Sequence, residues 1–153
     1  TIGMHTYSHD YAKVYASVDA YFQDLDQIGQ MVQEEIGYVP CFIRFPGGSS
    51  NTVSKKYTAG IMSTLVQEVQ NRGYQYYDWN GSSGDGSVRT TEELVAQATS
   101  FDSNNIILLC HDSHGKQTTV EALPQIIEHY QSLGYTFKAL DRDSFVAHHG
   151  VNN

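Results

Sequence analysis

The sequence has little of several residue types, and each shortage excludes a class of protein. Only two cysteines, Cys41 and Cys110, occur in 153 residues; they are too few for a disulfide framework and too far apart in sequence for a zinc knuckle. Lysine and arginine total 9 against 17 acidic residues, so the formal net charge is −8. A chain of this charge with no basic cluster is unsuited to nucleic acid. No apolar run approaches the roughly 20 residues of a membrane span.

The motifs of several common enzyme classes are also absent. The chain contains no G-x-G-x-x-G and no Walker A motif, so nothing supports the binding of nucleotide phosphates. It contains no G-x-S-x-G motif, which disfavours a serine hydrolase. The hydrophobic share is 40%, which is enough for a buried core. The 11 tyrosines suit a sugar-binding surface and a core equally well.

The apolar residues alternate between helical and strand spacing along the chain. Helices are predicted over residues 18–36, 59–72, 90–101 and 118–133, the last two from capping boxes at Thr90 and Thr118. Strands are predicted over residues 1–5, 41–45, 74–79, 105–110 and 135–140. This alternation predicts an α/β fold with about five parallel strands. A closed eightfold barrel needs about 250 residues, so we expect either an open doubly wound sheet or the C-terminal portion of an incomplete (β/α) barrel.

Two segments between and after these elements are predicted to lack regular structure. Residues 80–87 are rich in glycine and serine and are interpreted as a flexible loop. The polar tail from Asp141 is predicted to be frayed. No repeat or linker divides the chain, so we expect one domain over residues 1–153.

Ionisable and aromatic residues follow four successive predicted strands. In parallel α/β folds the carboxyl ends of the strands meet at one rim, where ligands bind. The sequence therefore predicts a site at this rim. Its candidate residues are His5, His9, Arg44, Asp78, Trp79, His111 and Asp112.

The first two candidates form an H-x-x-x-H spacing. On a helical turn, His5 and His9 would share a face and both could reach one divalent metal ion; the alternative is two ordinary polar histidines. Thr6, which follows the first histidine, is not glutamate, so this is not the zincin arrangement. Arg44 lies in an apolar strand and must be paired, either with a catalytic carboxylate or in a structural salt bridge.

The later candidates also allow two interpretations each. Asp78 and Trp79 are either site residues or an edge-strand aspartate and a core tryptophan. His111 ends an apolar strand, where an imidazole is a reasonable general acid or base. Asp112 is either part of this chemistry or a loop cap.

Taken in order, these segments resemble the motifs of the polysaccharide deacetylases of carbohydrate esterase family 4, which carry the NodB-type homology domain. H-[ST]-x-x-H, R-F-P-G-G, D-W and L-x-H-D are read here at residues 5–9, 44–48, 78–79 and 109–112. The resemblance covers nearly the whole chain. It implies a distorted (β/α) barrel and a hydrolase that removes acetyl groups from N-acetylglucosamine polymers, such as peptidoglycan or chitin, or from acetylated xylan.

The resemblance also implies roles for individual residues. His5 and His9 correspond to two of three protein ligands of a divalent metal, commonly zinc, with cobalt, manganese or nickel possible. His111 corresponds to the general acid, held and charged by Asp78, and Arg44 orients the catalytic carboxylate. The residues implied in substrate binding are Trp79, Leu109, Pro46 and Gly47.

One motif of the family is missing from the 153 residues. The T-F-D-D-G motif supplies the catalytic base and the third metal ligand, and this sequence has no adjacent pair of aspartates. We therefore expect an N-terminally incomplete deacetylase domain. An open barrel exposes strand edges, so we also expect a homodimer or swapped assembly. By resemblance, the protein acts outside the cytoplasm or at a bacterial cell wall.

Three alternative functions remain open at this point. One is a non-catalytic, carbohydrate-binding relative or an inactive fragment. Another is an acetylxylan esterase. The third is an unrelated α/β metalloprotein whose metal site is completed by His148 or His149.

Overall fold

Helices alternate with short parallel strands in the computed structural model, which describes all 153 residues. The helices are α1 Tyr11–Val14, α2 Val18–Ile36, α3 Ile61–Asn71, α4 Thr91–Ala98 and α5 Gln117–Ser132, with a 3-10 turn at Ser54–Lys56. The strands are β1 Phe42–Ile43, β2 Gln75–Tyr76, β3 Gly81–Ser82 and β4 Leu108–Leu109. None of the helices combines the length and apolarity that a membrane span needs.

The chain divides into two compact units. The first unit contains Thr1–Asp78 and Asp141–Asn153, and the second contains Trp79–Leu140. In the first unit, β1 pairs in parallel with β2, with Phe42 opposite Gln75. Residue Met4 forms a further parallel bridge with Ile43 of β1. These pairings confirm the prediction of an α/β fold with parallel strands.

The core of the first unit lies between these strands and helices α1 to α3. Its largest fully buried side chains include Tyr15, Tyr21, Phe45 and Leu65. Helix α2 presents Tyr21, Phe22 and Leu25 to this core. It begins after Ser17, whose side chain accepts from Ala20 N, and ends at Gly37, which adopts a φ of 85°. The predicted bounds of this helix are confirmed, because a helical stripe and both caps are present in the sequence.

The second unit is built from β3, β4, α4 and α5. The two strands pair in parallel, with Gly81 opposite Leu108. Helices α4 and α5 pack through a separate cluster of buried side chains, Leu94, Ala98, Ala122, Ile126 and Tyr130. The Tyr130 hydroxyl donates to the Ala98 carbonyl at 2.7 Å, so the one polar atom of this cluster is satisfied.

Three predicted features of local structure are wrong. Residues 135–140 form no strand, and residues 80–87 include β3 and are not merely a flexible loop. Helix α5 begins at Gln117, so Thr118 lies inside its first turn and does not cap it. A long-range contact lies behind this difference. Thr119, which follows Thr118, is buried, and its hydroxyl donates to Asp85.

The tail from Asp141 is not frayed but packs on the first unit. Ala147 is buried, and its carbonyl accepts from Asp78 N at 2.8 Å. The His148 ring stacks on the Tyr76 ring with centroids 3.8 Å apart. The Asn152 side-chain amide donates to the Ser50 carbonyl at 3.0 Å. A polar tail is ordered here because its hydrogen-bonding groups find fixed partners.

The capping box of α4 gives a first test of this description. The Thr90 hydroxyl accepts from Glu93 N at 3.3 Å, and the Glu93 carboxylate accepts from Thr90 N at 2.9 Å. We expect Thr90→Ala to lower the free energy of unfolding by about 1 kcal/mol, because a helix donor loses its partner. Urea unfolding followed by circular dichroism measures this. Thr52→Ala, at an exposed position outside any helix, should change stability by less than about 0.5 kcal/mol; equal losses in both variants would contradict the prediction.

Candidate active site

The structure brings the two histidines of the H-x-x-x-H motif together. The Nε2 atoms of His5 and His9 are 3.2 Å apart, and both residues are exposed. The Nδ1 atom of His5 lies 2.8 Å from the Arg44 carbonyl oxygen. Because a carbonyl only accepts, His5 carries its proton on Nδ1 and keeps the lone pair of Nε2.

The two imidazoles meet through a loop, so the prediction of a shared helical face is wrong. Helix α1 begins only at Tyr11. Within the motif, Thr6 has a φ of 66° and His9 a φ of 50°. For residues other than glycine, this left-handed conformation costs about 1 kcal/mol or more each. The surrounding contacts must therefore hold the loop in place.

The separation of the imidazole nitrogens fits a shared metal ion. Two nitrogen ligands of a tetrahedral zinc ion, each about 2.0–2.1 Å from the metal, lie about 3.3 Å apart. The observed 3.2 Å between the Nε2 atoms matches this value. The structure gathers no group of three or more His, Cys, Asp or Glu side chains that could hold a metal. His5 and His9 are therefore a pair of candidate ligands, and His148 and His149 do not join them in a larger group.

The segment after β1 supports this pair through its backbone. Arg44 is half-buried, its carbonyl holds His5, and its Nε donates to the Tyr77 carbonyl at 3.4 Å. Gly47 has a φ of 77°, and a Cβ there would lie 2.6 Å from the Tyr11 hydroxyl. No residue with a side chain fits at this position without displacement. That Arg44 orients a catalytic carboxylate remains a prediction.

Asp78 is a structural anchor of the first unit. Its side chain is fully buried and accepts three hydrogen bonds: from Ser49 N at 2.8 Å, from Ser49 Oγ at 2.5 Å and from His149 N at 2.8 Å. The carboxylate thus joins the loop after β1 to the C-terminal tail. The prediction that Asp78 holds His111 is corrected by the contacts of His111, which are to another aspartate.

That aspartate is Asp85, in the glycine- and serine-rich segment of the second unit. Its Oδ1 lies 2.7 Å from His111 Nδ1, and its Oδ2 accepts from His111 N at 2.6 Å. The Thr119 hydroxyl donates to Oδ2 at 3.0 Å, and the Lys116 ammonium group donates to the Asp85 carbonyl. Asp85 is 2% exposed, whereas the His111 side chain is 43% exposed. The buried carboxylate therefore holds an accessible imidazole.

The hydrogen bonds decide the ionisation state of Asp85. Burial alone would raise the pKa of this carboxyl group. Donors from His111, Ser83 and Thr119 outweigh burial, so the pKa lies below the usual value of 3.8. The carboxylate is ionised at neutral pH and accepts a hydrogen bond from the Nδ1–H group of His111. The Nε2 atom of the ring is then left to exchange a proton with a reactant.

Similarity to known proteins identifies the family. The chain is 44% identical to the catalytic domain of a peptidoglycan N-acetylglucosamine deacetylase from Eubacterium rectale, and the two structures match with a TM-score of 0.95 over 100% of this chain and 70% of that chain. The chain belongs to the polysaccharide deacetylases of carbohydrate esterase family 4. No family model matches it.

Two relatives from Bacillus cereus agree with this family. A solved polysaccharide deacetylase is 25% identical, with a TM-score of 0.72 over 98% of this chain and 69% of that one. A peptidoglycan N-acetylglucosamine deacetylase is 26% identical over 153 residues, which is 94% of this chain and 51% of the relative. The chain spans about half the length of the first curated relatives it matches.

The remaining residues of the predicted deacetylase site lie at strand ends. Leu109 is half-buried in β4, and its carbonyl accepts from Ser83 N at 3.0 Å and from Ser83 Oγ at 3.1 Å. Trp79 is half-buried after β2, and Asp112 is exposed after His111. Pro46 is buried, and its carbonyl accepts from the Tyr15 hydroxyl at 2.7 Å. The roles of Trp79, Leu109, Pro46 and Gly47 in substrate binding remain predictions.

Sequence reasoning missed Asp85 because its segment has no apolar alternation. The signal that could have found it is a glycine in a strand, which marks a close approach. At Gly81 a Cβ would lie 3.1 Å from the Phe101 ring and 3.2 Å from Leu108. The segment is therefore packed tightly against its neighbours. Asp85, which belongs to the same segment, has fixed surroundings.

The three bonds to Asp78 predict a large loss of stability on substitution. In Asp78→Asn the amide group presents N–H atoms to donors that need an acceptor. We expect the free energy of unfolding to fall by about 2–4 kcal/mol, because buried donors are left unpaired. Urea unfolding measures the change. Asp143→Asn is the matched control, because Asp143 is exposed in the C-terminal tail that Asp78 holds. If Asp78→Asn loses as little stability as this control, the anchoring role is contradicted.

The lowered pKa of Asp85 predicts a pH dependence of stability. A carboxyl group whose pKa is lower in the folded state stabilises the fold above its unfolded pKa, and this contribution is lost as the pH falls through the folded pKa. Wild-type stability should therefore decrease below about pH 4. Asp85→Asn should be less stable at neutral pH and show a smaller decrease. Urea unfolding at a series of pH values tests this, and parallel curves for the two proteins would contradict it.

Proposed function

We propose that this chain acts in the metal-dependent removal of N-acetyl groups from N-acetylglucosamine-containing polysaccharide. Family membership supports the reaction class. The observation that carries the proposal for this chain's own residues is the Asp85–His111 pair, in which a buried carboxylate contacts an exposed imidazole at 2.7 Å.

His111 is proposed as the general acid. Hydrolysis of an acetamide breaks the bond between the carbonyl carbon and the nitrogen, and the leaving amine must gain a proton. His111 Nε2 supplies that proton, while Asp85 keeps Nδ1 protonated and balances the charge of the imidazolium form. A positioned proton transfer of this kind accelerates a reaction by roughly 10²–10⁴-fold.

His5 and His9 are proposed to hold the metal, with zinc as the first candidate. A divalent ion bound there supplies Lewis-acid activation of water and of the acetamide carbonyl. The hydrogen bond from His5 Nδ1 to the Arg44 carbonyl at 2.8 Å leaves Nε2 as the ligand atom. The resemblance assigns the base and the third ligand to an adjacent pair of aspartates, which these 153 residues do not contain.

Peptidoglycan is the proposed substrate class, because the Eubacterium rectale relative and one Bacillus cereus relative are named peptidoglycan N-acetylglucosamine deacetylases. Such a substrate implies a site of action at the cell wall or outside the cytoplasm. The family's solved structures support a distorted (β/α) barrel as the arrangement to which the parallel strand pairs belong. Association with a second copy stays a prediction.

The test is acetate release from N-acetylglucosamine oligomers, with added zinc and with a chelator. We expect chelator-sensitive release from a protein in which the T-F-D-D-G motif accompanies these residues, because the 153 residues alone contain neither the base nor the third ligand. In that protein His111→Ala should reduce release by roughly 10²–10⁴-fold, because the amine leaves without a proton. His114→Ala is the control, since His114 is exposed in the same loop, and it should leave release unchanged. Release that survives the chelator or His111→Ala would contradict the mechanism. No release from a protein that carries the T-F-D-D-G motif would favour a non-catalytic, carbohydrate-binding protein.

A further inference from the structure

The loop between His5 and His9 is held by a carboxylate from helix α2. One oxygen of Asp24 accepts from Tyr7 N at 2.6 Å and from Ser8 N at 3.2 Å. The other accepts from Ser8 N at 3.2 Å and from the Ser8 hydroxyl at 2.5 Å. Asp24 thus binds every donor of the two residues at the centre of the loop except the Tyr7 hydroxyl.

These contacts act where the backbone is strained. Tyr7 and Ser8 lie between Thr6 and His9, which have φ values of 66° and 50°. The Tyr7 side chain is 50% exposed, so only part of its surface is available for packing. Residues other than glycine keep a left-handed conformation only where neighbouring contacts impose it. The four hydrogen-bond contacts of Asp24 fix Tyr7 and Ser8, the two residues between these strained positions.

The two histidines have separate anchors. His5 follows Met4, which pairs with β1, and its ring is fixed by the Arg44 carbonyl. His9 directly follows Ser8, the residue that Asp24 holds most closely. The Ser8 hydroxyl oxygen also accepts from Asp10 N at 3.3 Å. Asp24 therefore holds the residue before His9, while the residue after it, Asp10, caps helix α1 and the Tyr11 ring contacts the His9 ring. His5 is held from β1.

We propose that Asp24 is a positioning residue for the metal ligand His9. It does not touch the metal or the substrate; it holds the loop so that His9 Nε2 stays beside His5 Nε2. This inference rests on the proposed metal site. It adds to that site a residue from outside the motif, which helps to set the distance between two ligands.

The experiment measures zinc affinity by competition with a chromogenic chelator. We expect Asp24→Ala to bind zinc about 10–100-fold more weakly than the wild type, the effect usual for partners that orient metal ligands. Asp26→Ala is the matched control, since Asp26 is exposed on the same helix, and its zinc affinity should equal that of the wild type. His5→Ala and His9→Ala report whether the pair binds zinc at all. Circular dichroism confirms that each variant is folded at the temperature of the titration.

Each outcome separates the inference from the proposed function. If zinc binding depends on His5 and His9 but Asp24→Ala binds as the wild type does, the positioning role is overturned and the metal site stands. If the wild type binds zinc no better than the histidine variants, the metal site is overturned and the positioning role with it. A lower melting temperature of Asp24→Ala with unchanged zinc affinity would show a merely structural role.

A second variant keeps the inference testable if Asp24→Ala does not fold. Ser8→Ala removes the 2.5 Å hydrogen bond to Asp24 but leaves both backbone contacts in place. We expect it to weaken zinc binding by a smaller factor, on the order of a few-fold to 10-fold. Unchanged zinc affinity in Ser8→Ala would contradict the proposal that Asp24 positions His9 through Ser8.

Discussion

A carboxylate that is removed from water needs hydrogen-bond donors around it, and the loops that carry the site residues are built on this constraint. Asp24 holds the loop between His5 and His9 through backbone donors. Asp78 holds the loop after β1. Asp85 receives both the backbone and the ring of His111. Loops of polar and small residues bury little apolar surface. Hydrogen bonds to these carboxylates therefore hold the loops where hydrophobic packing cannot.

The site histidines are also held by hydrogen bonds. His5 and His111 each use Nδ1 for a fixed hydrogen bond, the first to a carbonyl oxygen and the second to a carboxylate. A neutral acceptor suits an imidazole that gives its Nε2 lone pair to a metal ion. An ionised acceptor suits an imidazole that must become positively charged and release a proton from Nε2. These partners are consistent with the two proposed roles, a metal ligand for His5 and a general acid for His111.

The sequence predicts the elements whose signal is local and misses those fixed by distant partners. Helix α2 has its stripe and both caps within one segment, and its bounds were predictable. The two-residue strands are too short for alternation to mark their ends. Family resemblance located His5, His9 and His111, yet the partner of His111 is 26 residues away in a segment of glycine and serine. The tail order depends on a bond from His149 to Asp78, 71 residues apart. Hydrophobic periodicity reports only local structure, so it does not reveal either of these long-range contacts.

Asp78 and Asp85 show why residue type and position at a strand end do not decide function. Both are buried aspartates that follow short parallel strands, and both accept several hydrogen bonds. The donors of Asp78 are backbone N–H groups and a hydroxyl, which join the loop after β1 to the C-terminal tail. Asp85 has the His111 ring among its donors, at 2.7 Å. The proposed general-acid chemistry therefore involves the aspartate whose partner is an imidazole, and the folded arrangement shows that this aspartate is Asp85.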